Sequence, residues 1–185
     1  HGQKAYTSVG ELPEPADLAI VMVPTGAVLG MMEEIADAGI RSAVILTSGF
    51  GEVGEEGAAL EEQLRTIARE REITILGPNG NGFVNVAAGI MPYGLPLADE
   101  IPSGSIGIVL QSGALASSVL RQSLVRNAGL SVLVSMGNES MLSMTDVMEY
   151  LVEDDDTKVI LLFIESVRNP AKFREVARRA LQAGK

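Results

Sequence analysis

The chain has no cysteine and no tryptophan, and its single histidine is the first of its 185 residues. Without cysteine there is no disulfide framework and no thiolate metal site, a composition that fits a reducing cytoplasmic setting. His1 lies in a terminus that matches no motif, so no imidazole is placed for acid–base or nucleophilic work. No apolar run reaches transmembrane length: Leu18 to Val23 is strand-sized, bracketed by Asp17 and Pro24. The start, His1-Gly2-Gln3-Lys4, lacks a signal-peptide pattern and reads as an expression scar or an internal cut. Basic residues are outnumbered, 14 Lys and Arg against 24 Asp and Glu, for a net charge of −10. That balance argues against nucleic acid as the main partner, because phosphate neutralisation needs clustered cations. It leaves a small anionic ligand open, since one helix terminus can hold an anion locally.

What is present reads as a globular α/β protein, with 46% hydrophobic and 21% charged residues. Short apolar runs at 18–23, 42–47, 73–76, 106–110, 131–135 and 159–164 have the look of strands buried on both faces. Amphipathic stretches between them, at 26–38, 55–71, 114–127, 145–153 and 170–183, predict helices. This alternation implies βαβ units and doubly wound parallel sheets. Gly39 suits a helix C-terminus, and Asn169-Pro170 suits a helix start. The rhythm breaks between Asn79 and Gly104, a Gly-, Pro- and Asn-rich stretch longer than βα connections need. It divides the chain into one unit at 1–102 and a second at 103–185. The acidic run Glu153-Asp154-Asp155-Asp156 reads as a solvated turn.

Both units look partial. Ala5 to Val9 forms a short strand at most, and no G-x-G-x-x-G fingerprint opens the first unit. The chain reads as the middle of a longer protein.

The most informative local pattern is Ile106-Gly107-Ile108-Val109-Leu110 running into Gln111-Ser112-Gly113 and then a helix-forming stretch. The first N–H groups of such a helix lack internal partners, and its dipole favours an anion there. Ser112, Gly113 and Ala114 would supply those groups to a phosphate, with Gly113 permitting close approach. A plain N-cap serine accounts for the same residues without a ligand.

At Gly77-Pro78-Asn79-Gly80-Asn81-Gly82 the chain resembles the nucleoside-diphosphate-forming acyl-CoA synthetases, the family of the succinyl-CoA synthetase α subunit. Further matches follow in order: Asp17 to Ile20 before Val23-Pro24, Gly49-Phe50-Gly51-Glu52, Gln111-Ser112-Gly113, Ser135-Met136-Gly137-Asn138 before Asp146, and Phe163-Ile164-Glu165. The resemblance implies the C-terminal part of a CoA-binding Rossmann-like domain, then most of a flavodoxin-like domain. It implies an enzyme that makes an acyl-CoA from a small carboxylic acid, CoA and ATP or GTP. The phosphoryl group would pass through a histidine outside this chain.

The strand tips Val23-Pro24 and Leu46-Thr47-Ser48 would lie along CoA, and Pro78-Asn79 near its pantetheine end. Each has a structural alternative: strand termination by Pro24, helix capping by Thr47 or Ser48, a tight turn at Asn79. Ser112, Gly113 and Ala114 would hold phosphate, and Glu165 would orient the phosphorylated histidine. Asn138 and Asp146 would shape the same region. Nucleotide and Mg²⁺ would belong to an ATP-grasp domain or partner subunit, in an oligomeric assembly, with no metal held by this chain.

The main departure is the histidine itself, which relatives carry beyond the final strand of the second domain, so that the chain alone is not expected to turn over. Two others stand out. Gly80 replaces a cysteine that many relatives carry, and the tyrosine that succinate-using relatives carry near Ser117 is absent, which leaves the acid unidentified. The same two domains also resemble the non-catalytic, CoA- or nucleotide-sensing part of certain protein lysine acetyltransferases. A flavin- or dinucleotide-binding protein fits the topology alone.

Overall fold

The computed structural model describes residues 2 and 4–185; His1 lies outside them. Strands β1 (Ala19–Val21), β2 (Ser42–Ile45) and β3 (Thr74–Leu76) form a parallel sheet in the order β1-β2-β3. Helices α1 (Val28–Asp37) and α2 (Glu55–Glu70) make the two crossovers. α1 stops because Gly39 turns at φ +82°, letting the Ile40 N–H reach back to the Ile35 carbonyl. Val28, Met32 and Ile35 of α1 and Leu64 and Ala68 of α2 pack on Val21, Ala43, Ile45 and Ile75 in one core. Fully burying each large apolar side chain there contributes about 1.5–3 kcal/mol.

The second sheet runs β4-β6-β5-β7. β5 (Ser103–Leu110) lies between β6 (Leu130–Ser135) and β7 (Val159–Phe163), parallel to both. Helices α3 (Gly113–Val125), α4 (Met144–Glu153) and α5 (Pro170–Gln182) follow β5, β6 and β7. α3 covers one face through Ala116 and Leu120 against Ile108, Leu110 and Leu133. On the other face α4 contributes Met144 and Leu151 to a cluster with Val109, Val132 and Val134. That cluster also contains Val44 and Leu76, so the two sheets meet through apolar side chains.

Three expectations change. The segment 79–104 is not simply a connection: Gly82–Asn85 forms β4, antiparallel to β6, and Phe83 N–H reaches the Pro92 carbonyl at 3.1 Å. A four-residue strand ended by Gly and Asn has no readable period, and its stability comes from pairing with β6. β4 therefore adds residues before 103 to the second sheet. Ala5 to Val9 is not a strand; a single 3₁₀ turn spans Val9–Glu11. Burial on both faces holds for β6, all six residues of which are buried, but not for the edge strands. Along β7, Val159, Leu161 and Phe163 stay exposed while Ile160 and Leu162 turn inward.

Candidate active site

Parallel strands gather the chain's loops at their C-terminal ends, where ligands bind in open α/β sheets. At the first sheet those tips are stitched together. The Thr47 hydroxyl donates to the Val23 carbonyl at 2.7 Å, Thr25 Oγ1 to the Ser48 carbonyl at 2.8 Å, and Asn79 N–H to the Thr47 carbonyl at 3.0 Å. Pro24 and Ser48 are exposed, whereas Val23, Leu46 and Thr47 are partly buried. Pro78 is buried, and its carbonyl accepts the Asn138 N–H at 2.8 Å, which leaves it little surface to offer a ligand.

At the second sheet Ser112 is the N-cap of α3, its hydroxyl accepting the Leu115 N–H at 3.3 Å. Gly113 and Ala114 occupy the first turn, and their N–H groups have no acceptor among the described residues. Asn81 braces this turn from the segment after β3, donating through Nδ2 to the Gly113 carbonyl at 2.7 Å and to Ser117 Oγ at 3.1 Å.

Between the two sets of tips lies a polar cleft of about 320 Å³. Its wall from the second unit is built around Gln111, whose side-chain amide uses all its hydrogen-bonding positions. Oε1 accepts the N–H groups of Glu165 (2.6 Å) and Ser166 (2.9 Å). Nε2 donates to Glu139 Oε1 (2.8 Å) and to the Ser166 carbonyl (2.9 Å). Glu139 is only 4% exposed; its Oε1 also accepts the Met144 N–H at 3.1 Å, and Oε2 lies 3.8 Å from Arg168 Nε. Glu165 itself is exposed to the cleft, and among the described residues its carboxylate has no hydrogen bond or ion pair.

The opposite wall comes from the first unit. Glu61, 4% exposed, accepts the Gly51 N–H at 2.9 Å and pairs with Arg65 at 3.1 Å. Asn138 joins the walls: Nδ2 donates to Glu52 Oε2 at 2.6 Å and Glu61 Oε2 at 2.9 Å, while Oδ1 accepts from Asn79 Nδ2 at 3.2 Å. Burial pushes the Glu52 carboxyl up, but hydrogen bonds from Asn138, Gly49 and Phe50 outweigh it and hold the group below its ordinary value. The turn bearing Asn138 needs Gly137, which sits at φ +64°; a Cβ there would lie 2.1 Å from the Pro78 carbonyl oxygen.

Residues 1–85 match the CoA binding domain family, and residues 103–185 match the succinyl-CoA ligase like flavodoxin domain. The chain belongs to the nucleoside-diphosphate-forming acyl-CoA synthetases. It is 37% identical to the α subunit of ADP-forming acetate–CoA ligase II of Pyrococcus furiosus, aligning over 100% of its own length and 41% of that subunit. It is 38% identical to a trans-feruloyl-CoA synthase of an unidentified prokaryote, over 100% of its length and 26% of the synthase. A solved structure of the dinucleotide-forming acetyl-coenzyme A synthetase 1 of Candidatus Korarchaeum cryptofilum, in complex with phosphate and ADP, superposes with a TM-score of 0.89. That match has 34% identity and covers 97% of this chain and 38% of the other. The chain thus spans about two fifths or less of these synthetases.

Of the residues expected from sequence at the site, Glu165 and Asn138 line the cleft. Ser112, Gly113 and Ala114 adjoin it through Gln111, and Pro78 and Asn79 touch it through Asn138. Val23, Pro24, Leu46, Thr47 and Ser48 stand apart at the first sheet's tips. Asp146 is elsewhere: it closes a capping box with Ser143 and pairs with Lys172. Glu139, Arg168, Glu61 and Arg65 were not singled out from sequence, and Gln111 appeared there only as part of the Gln111-Ser112-Gly113 turn, with no role of its own. Glu61 carries a readable signal, because it falls on the buried stripe Gly57-Glu61-Leu64-Ala68 of α2. Among the described residues no acidic, histidine or cysteine cluster could hold a metal ion.

Proposed function

We propose that this chain is part of an ADP- or GDP-forming acid–CoA ligase and that Glu165 orients the histidine that carries phosphate. The observation that carries the reading is Glu165. In a member of this family, a carboxylate without a partner among the described residues faces a polar cleft at the end of the second sheet, its backbone held by the Gln111 side chain.

The overall reaction joins a carboxylic acid, CoA and a nucleoside triphosphate, giving acyl-CoA, nucleoside diphosphate and inorganic phosphate. A histidine on a segment outside these 185 residues takes the phosphoryl group and passes it to a carboxylate oxygen of the acid. CoA supplies the thiol that takes the acyl group and releases phosphate. Glu165 accepts a hydrogen bond from one imidazole nitrogen, which fixes the tautomer and leaves the other nitrogen free to attack phosphorus. The N–H groups of Gly113 and Ala114 hold the phosphate oxygens, where the dipole of α3 adds attraction. Pro24, Thr47, Ser48 and Asn79 line the CoA path; the exposed Ser48 at a parallel-sheet tip suits such a ligand. Nucleotide and Mg²⁺ belong to an ATP-grasp domain or partner subunit. Relatives of nearly equal identity are named for acetate and for ferulate, so the acid is not assigned.

The test uses the full-length protein that contains this chain, with γ-labelled ATP and Mg²⁺. An acid-labile, base-stable phosphate that CoA and a carboxylic acid discharge supports the reading. A protein that binds CoA yet takes up no label contradicts it and points to a sensing domain.

A further inference from the structure

We propose that Gln111 and Glu139 act as a positioning pair for Glu165, an inference that rests on the functional reading above. Glu165 follows the last residue of the β7 ladder by two positions, so regular strand pairing does not fix its backbone. The Gln111 side chain takes over that task. Its amide lies against residues 165 and 166 as a short strand would, accepting two N–H groups and donating to one carbonyl.

An amide can present either edge, and Glu139 reinforces the one that the Glu165 and Ser166 backbone groups require. Its buried carboxylate can only accept, so Gln111 Nε2 must turn toward it and Oε1 must face the Glu165 and Ser166 N–H groups. Glu139 is in turn tied to the first N–H of α4 and lies near Arg168. It holds a left-handed backbone, φ +57°, which costs a non-glycine residue energy and persists here where its carboxylate is fixed by these partners. The relay therefore runs from α4 through Glu139 and Gln111 to the backbone that aims Glu165 into the cleft. Gln111 touches no reacting atom in this scheme; it acts through Glu165.

A double-mutant cycle in the full-length protein tests this, reading the single-turnover rate of histidine phosphorylation alongside CoA affinity and thermal stability. Gln111→Met lowers the phosphorylation rate about 10- to 100-fold, the cost of misplacing a catalytic group by losing its support, while CoA affinity is unchanged. Glu165→Gln lowers it as well, and the double variant is no slower than Glu165→Gln alone. Gln111→Asn, which keeps the amide but shortens its reach, falls between wild type and Gln111→Met and serves if the methionine variant does not fold. Multiplicative losses in the double variant, or a Gln111 effect confined to stability, overturn the positioning role while leaving the functional reading intact. An unimpaired Glu165→Gln removes that reading, and the positioning role with it.

Discussion

Asn138, on the turn after β6, donates to the buried carboxylate of Glu61 on α2 at 2.9 Å and so pins the second unit to the first across the cleft. Removing it with Asn138→Ala leaves a buried charged acceptor short of a partner, which costs about 1–3 kcal/mol of stability in denaturant unfolding. Asn138→Asp is worse at neutral pH, because a third carboxylate would face Glu52 and Glu61. Its deficit relative to Asn138→Ala shrinks as the pH falls into the carboxylate range.

Glu52 makes a separate pH signature. Its folded-state pKa is lowered, with the hydrogen bonds from Asn138 and the Gly49 and Phe50 N–H groups outweighing burial. The contribution to stability is therefore complete above the ordinary carboxylate pKa, about pH 4.3, and is lost as pH falls through the lower folded value. Glu52→Gln therefore flattens the acid limb of a Tm-against-pH curve only in part, and only below about pH 4.3. Asp146, also lowered because bonds from Lys172 and Ser143 outweigh burial, and Glu149, lowered by hydrogen bonds from Lys172 and Arg179, still contribute to that limb.

Gly57→Ala reverses a common rule. In an open helix the change stabilises by about 1 kcal/mol. Here the new Cβ would lie 1.8 Å from the Phe50 carbonyl oxygen and 2.7 Å from Val53 Cγ2. Relief requires α2 to move away from the Gly51–Val53 turn, so the variant loses roughly 1–3 kcal/mol in thermal or denaturant unfolding.

Ser112→Ala separates capping from anion binding. Losing the bond to the Leu115 N–H costs about 1 kcal/mol of stability. The first-turn N–H groups of Gly113 and Ala114 remain, so the stabilisation by inorganic phosphate, measured as a Tm shift, is the same in the variant and the wild type.

Strands and helices with clear periods were legible in the sequence because local pattern and tertiary environment agree. Asn169-Pro170 starts α5 as expected, and Ser112 caps α3. β4 was not legible, since Gly82-Phe83-Val84-Asn85 owes its form to pairing with β6, some fifty positions along the chain. The site divides the same way. Glu165 could be reached from a motif at a strand end, but its supports could not. Gln111 and Glu139 are separated from it by 54 and 26 positions and meet only when three loops converge (165 less 111, and 165 less 139). Polar residues that act through side-chain hydrogen bonds between loops leave no period to read.

The most direct test of the ligase assignment is the product balance of the full-length protein given ATP, CoA and a panel of small carboxylic acids. Acyl-CoA, ADP and inorganic phosphate are expected in equal amounts with at least one acid, and this turnover collapses in Glu165→Gln. Acyl-CoA formed together with AMP and pyrophosphate, or turnover indifferent to Glu165→Gln, would contradict that assignment.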